Sequence, residues 1–182
     1  MCSSDLRLRG TLTAGQDIIV SAGMRRVVDQ VSIQIDGTSR LTSTGGGGDI
    51  RITGYNDVIV DGVIGLGSNA LNQLVISSTE GTLTVAQASG WIETDAPLVL
   101  QGATVDLQGV VRSSATSATA GEFAVTIDAV EAAIIEGELL STGALRIHGG
   151  SVTVFNATIA VSQAGQRLVF SGGDIKIGRA HV

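Results

Sequence analysis

Short apolar runs separated by polar or small residues recur from one end of the chain to the other. One series comprises Ile18-Ile19-Val20, Ile50-Arg51-Ile52, Leu74-Val75-Ile76, Leu98-Val99-Leu100, Val125-Thr126-Ile127, Leu145-Arg146-Ile147 and Leu168-Val169-Phe170. Their first residues are spaced 32, 24, 24, 27, 20 and 23 positions apart. Two further runs lie between members of the series. Examples are Val58-Ile59-Val60 with Val63-Ile64-Gly65-Leu66, Leu83-Thr84-Val85 with Trp91-Ile92, and Val105-Asp106-Leu107 with Val110-Val111. Alternation at period two is the mark of a strand, and it places the first and third residues of a run on one face. Gly54, Asn56-Asp57, Asp61-Gly62, Gly102, Gly109, Gly149-Gly150 and Asn156 fall at the joints, where turn chemistry is expected.

The repeating unit is therefore about 24 residues with three short strands. One such unit cannot bury enough apolar surface to offset the entropy of ordering it, but stacked units cover one another and pair every strand. The pattern predicts an all-β chain: a single-stranded parallel β-helix, or β-solenoid, of about six coils. An antiparallel sandwich would also suit the strand spacing, but the equivalence of every third strand favours the solenoid. The two longest units carry their excess in excursions, one from Ala22 to Gln30 and one from Ser113 to Glu122.

Composition narrows the picture. Of 182 residues, 25 are Gly, one is Pro, 3% are aromatic and 15% are charged, as many short strands with tight turns require. The net charge of −6 and the lack of a basic cluster argue against nucleic acid as a partner. No apolar run approaches the roughly 20 residues of a membrane-spanning helix. Cys2, His148 and His181 are too few for a Cys/His metal site.

Both ends resemble translated sequencing-library adapter. The terminal Ile-Gly-Arg-Ala-His-Val corresponds to ATC GGA AGA GCA CAC GTC, and Met-Cys-Ser-Ser-Asp-Leu to GTG TGC TCT TCC GAT CT in the opposite orientation. The expectation is that residues 1–6 and 177–182 are adapter-derived. Residues 7–176 would then form a β-solenoid repeat fragment of a larger protein of metagenomic origin.

Candidate chemistry is sparse. The stretch GGGGDIRIT, Gly45 to Thr53, resembles a calcium-binding repeat, but Asp49 stands one residue early and no second copy follows, so a glycine turn before a strand is expected. Stacking the units puts Arg51, Val75, Val99, Thr126, Arg146 and Val169 in one outward column. It puts Ile59, Thr84, Asp106 and Thr153 in another. Neither gathers the paired carboxylates of acid–base chemistry. Asp49, Asp57, Asp61 and Asp174 are expected to cap turns, His148 to be a turn residue, and Trp91 to pack in the core or at a corner. The Val75–Val99 column is expected to be a covered or tolerated apolar stripe. The Asn156-Ala157-Thr158 sequon is read as a chance match. No catalytic, cofactor-binding or metal-binding residue is assigned.

The phrases GGDIRI, NDVIVDGVIG, GTLTVAQASG and GALRIHGGSVTV resemble the repeats of large bacterial filamentous-haemagglutinin-like adhesins and related β-helical surface proteins. The resemblance implies a secreted or cell-surface location and a structural or adhesive shaft without catalysis. The shaft would be joined to flanking coils of the same polypeptide, with other regions contacting host-cell, matrix or carbohydrate surfaces. The alternative is a fragment of a β-helical polysaccharide lyase or hydrolase whose active site lies elsewhere.

Overall fold

The computed structural model describes residues 6–23, 30–65, 71–116 and 122–178. It is all-β, and its strands stack in parallel as a β-solenoid of about six coils. A partial coil, β1 (Leu6–Leu8) and β2 (Thr11–Ala14), comes first. Coils of three strands follow. They are β3 (Ile18–Ala22), β4 (Val31–Ile35) and β5 (Arg40–Ser43); then β6 (Asp49–Gly54), β7 (Asp57–Val60) and β8 (Val63–Ile64); then β9 (Gln73–Ser78), β10 (Thr82–Val85) and β11 (Trp91–Thr94). In the next coils the first two strands run on as one. These are β12 (Leu98–Leu107) with β13 (Val110–Ser113), β14 (Val125–Ile135) with β15 (Glu138–Ser141), and β16 (Leu145–Val154) with β17 (Thr158–Val161). Strand β18 (Leu168–Ile177) opens a further coil.

The strands make three parallel sides. The first contains β3, β6, β9 and the opening halves of β12, β14, β16 and β18. The second contains β1, β4, β7, β10 and the closing halves of the same long strands. The third contains β2, β5, β8, β11, β13, β15 and β17. The register pairs Ile18, Ile50, Leu74, Leu98, Val125, Leu145 and Leu168 in a single column, so the spacings read from the sequence are the coil lengths. With about 4.8 Å between neighbouring strands, this column spans about 29 Å. Both long excursions fall partly outside the described residues.

The core follows from the alternation. Ile52, Ile76, Leu100, Ile127 and Ile147 form an inward column on the first side, and Ile35, Val60, Val85, Leu107, Ile135 and Val154 one on the second. The third side inserts one large aliphatic per coil: Leu41, Ile64, Ile92, Val111, Leu139 and Ile159. On that side it is the second residue of Val63-Ile64 and of Trp91-Ile92 that points inward. Trp91 therefore stands on the outer face, half-buried, as the first residue after the Gly90 corner, and not in the core. The first-and-third rule holds only where a run begins on an inward residue, and on this side the runs begin on an outward one.

The corner between the first and second sides explains why three strands per coil become two. In the early coils this corner holds buried Ser32, Asn56 and Ser78. The Asn56 N–H donates to Ser32 Oγ (2.8 Å), and Ser78 Oγ donates to the Asn56 carbonyl (2.7 Å) while accepting the Gly81 N–H (3.0 Å). These hydroxyls take over backbone groups and interrupt the ladder. Beyond the last β9–β12 pair, Gln101 with Ser77, the corner passes to Gly102, Ala129, Gly149 and Gly172, which are in register with one another. They offer no competing side-chain group, and the strand bends without breaking. The register slips where Val130 lies, and this residue is 79% exposed, as the extra residue of a bulge should be.

The corner between the second and third sides needs glycine for a different reason. Gly62, Gly90, Gly109 and Gly137 stack there, and their carbonyls accept the N–H groups of Trp91, Val110, Glu138 and Thr158 in the next coil, each at 3.0 Å. A methyl group on Gly109 or Gly137 would fall inside contact distance of the glycine carbonyl below. In the following coil this corner is one residue longer, and Asn156 takes a φ of 50° to accommodate it.

Candidate functional site

The outward columns fall as the sequence spacing implies. Arg51, Val75, Val99, Thr126, Arg146 and Val169 are in register, as are Ile59, Thr84, Asp106 and Thr153, with Ile134 also in the second set. Val75 and Val99 are half-buried between neighbouring side chains, whereas Ile19, at the head of the column, is 68% exposed.

The aspartates do more than cap their own turns. Asp57 Oδ1 accepts the Thr82 N–H of the next coil (2.8 Å), and Asp61 accepts the hydroxyl of Ser89. Asp49 opens β6, and its Oδ2 is held by Arg51 Nη2 (2.8 Å) and Nε (3.1 Å). Asp174 lies inside β18 and pairs with Lys176 at 2.9 Å. A cation two residues away on the same strand face thus neutralises both Asp49 and Asp174.

His148 is not in a turn. It is the last outward residue of the first side on β16, and its Nδ1 lies 3.0 Å from Ser171 Oγ on β18. Register places Asp128 of β14 on its other flank. The three belong to a polar column, Thr53, Ser77, Gln101, Asp128, His148 and Ser171, that runs along the shaft. In sequence His148 lacks a partner at any motif spacing. The coil lengths of 20 and 23 residues were the signal, since they step from His148 back to Asp128 and on to Ser171.

Serine, histidine and aspartate in a row invite comparison with a nucleophilic triad, but the geometry supplies only part of one. Among the described residues Asp128 makes no hydrogen bond to His148. Strand N–H groups lie in the plane of the sheet, while Ser171 projects from its face, so they cannot converge on an oxyanion above the hydroxyl. The column is a hydrogen-bonding stripe, not an activated nucleophile.

A second constellation lies on the third side. Trp91 Nε1 donates to Glu93 Oε2 at 3.1 Å, and the Arg112 guanidinium stacks over the indole ring, 4.7 Å from its centroid. Arg112 Nε (2.8 Å) and Nη2 (2.6 Å) both reach Glu138 Oε1. Strands β11, β13 and β15 bring these four residues together through the pairs Trp91–Val110–Glu138 and Glu93–Arg112–Leu140. Beside them an open groove of about 360 Å³ is lined by Glu93 and Arg112, with Leu140 and Ala160 among its apolar residues. Sequence spacing does not reveal this cluster, because its members are spread over three coils, on β11, β13 and β15.

The chain matches no protein-family model, no curated protein and no solved structure.

Proposed function

We propose that this chain is a structural and adhesive shaft segment of a larger secreted or cell-surface bacterial protein, without catalysis of its own. One observation supports the reading: three parallel sides stay paired from coil to coil, and their outward columns hold mostly short aliphatic, hydroxyl and singly paired charged side chains. Such a stack is a stiff, quasi-one-dimensional spacer. The resemblance of its turn–strand phrases to filamentous-haemagglutinin-like repeats supports the surface location. Flanking coils of the same polypeptide would be its first partners, with host-cell, matrix or carbohydrate surfaces met by other regions.

The test is to express the segment within its uninterrupted gene product and to add or delete whole coils. Solution scattering should show a constant cross-section and a length changing by about 4.8 Å per coil. Surface labelling of intact cells should detect the segment. Release of unsaturated or reducing sugars from polygalacturonate or alginate would overturn the reading in favour of a β-helical polysaccharide lyase or hydrolase.

A further inference from the structure

We infer that the groove beside Arg112 on the third side binds a neutral saccharide. The inference goes beyond the shaft reading, since it assigns a ligand to this segment itself.

The groove has the mixed character that a sugar ring needs. Leu140 and Ala160 supply an apolar floor for the C–H face, and Glu93 and Arg112 border it with an acceptor and a donor. Ser114, Thr142 and Ser162 add hydroxyls. A volume of about 360 Å³ lies near the small end of ligand pockets, enough for a short saccharide.

The polar groups are held in place and are not fully used. Trp91 stacks on Arg112, and Glu138 fixes its Nε and Nη2, while Arg112 Nη1 has no partner among the described residues. Glu93 is anchored through Oε2 to the indole N–H, and its Oε1 has no partner among the described residues. A planar donor and a carboxylate acceptor thus border the groove at little further cost in ordering.

Charge selects the ligand class. One guanidinium faces two carboxylates, Glu93 and Glu138, so the surroundings carry a net negative charge. An anionic glycan would be repelled, and Arg112 is already neutralised by Glu138. A polyhydroxylated neutral ligand uses Nη1 and Oε1 without adding charge.

Trp91 is the only tryptophan in the chain, so its fluorescence reports on Arg112 without interference. Cellobiose, lactose and N,N′-diacetylchitobiose would be titrated against the protein, with digalacturonate and glucosamine as charged controls. Saturation-transfer NMR gives a second readout that does not depend on the indole. At least one neutral disaccharide should saturate both signals. Arg112→Met keeps the packing over Trp91 and should weaken binding about tenfold, the size expected for one lost hydrogen bond. Leu140→Glu should abolish binding, and Thr84→Ala, on another side, should leave it unchanged. Circular dichroism would confirm that each variant folds. Saturation by none of the neutral sugars, a response confined to either charged control, or equal binding by Arg112→Met would overturn the proposal.

Discussion

His148 Nδ1 lies 3.0 Å from Ser171 Oγ, although 23 residues separate them. The contact exists because 23 residues is the length of that coil, which returns the chain to the same outward position one strand further on. In a solenoid the meaningful offset is the coil length, and it differs from coil to coil. On the outer face such a pair is one hydrogen bond between half-exposed groups. Replacing Ser171 by Ala should therefore change unfolding free energy by about 1 kcal/mol or less. Denaturant unfolding of the variant measures this. Covalent modification of Ser171 by a fluorophosphonate should not be seen by mass spectrometry, because no N–H pair stands ready to bind the oxyanion. Labelling would show an activated serine.

Gly137 should resist substitution more than its turn position suggests. A Cβ there meets the Gly109 carbonyl of the preceding coil, and that carbonyl is tied to the Glu138 N–H at 3.0 Å. Relief requires the two coils to part locally. Gly137→Ala should cost about 1–3 kcal/mol, the range for overpacking. Gly15→Ala, where an added methyl meets no atom within 4 Å, should stay within about 0.5 kcal/mol. Paired thermal melts of the two variants decide the matter.

How much was legible follows from what repeats. Inward aliphatics recur in every coil, so the coil lengths and the first outward column could be read directly, as the register from Arg51 to Val169 shows. Corners repeat less faithfully. Ser78 gives way to Gly102 and then to Ala129 at one corner, and only the backbone reveals that the later strands run on through the bend. The Trp91 cluster was hidden for a third reason. A single aromatic residue gives no column to compare, and whether Trp91 or Ile92 points inward depends on where the corner ends.

Ser78 is buried and serves two backbone groups, the Asn56 carbonyl at 2.7 Å and the Gly81 N–H at 3.0 Å. Ser78→Ala removes the hydroxyl that joins these two backbone groups. The expected loss is about 1–3 kcal/mol, from two lost hydrogen bonds and not from lost volume. Ser78→Gly should be no better, since it restores neither bond. A Ser78→Ala variant as stable as the parent by denaturant unfolding would show that the corner rearranges to satisfy itself.

Asp36 should titrate below the usual carboxylate range. The hydrogen bond from Arg7 is the main cause, with Nη2 at 2.8 Å and Nε at 3.1 Å, and the charges of Arg7 and Arg9 add to it. A folded-state value below the unfolded one means that the contact stabilises the fold above the unfolded pKa. The contribution is lost as pH falls through the folded value. Because the pair is on the surface, salt should weaken the effect. Carboxyl carbon NMR would follow Asp36 directly, and Arg7→Gln should move its titration up toward the ordinary value.

Ile127 and Thr126 are neighbours in β14 that test the in-and-out assignment at the middle of the stack. Ile127 is fully buried between Leu100 and Ile147 of the adjoining coils, while Thr126 points outward between Val99 and Arg146. Coils contact only their neighbours, so a cavity at Ile127 cannot be filled from elsewhere in the shaft. Ile127→Ala should therefore cost about 2–5 kcal/mol, the range for truncating a buried aliphatic. Thr126→Val places a β-branched residue on a strand face beside Val99 and should be neutral or slightly stabilising. Equal effects of the two substitutions in denaturant unfolding would mean that the two faces of β14 are not inside and outside. The register that aligns every other column would then fail with it.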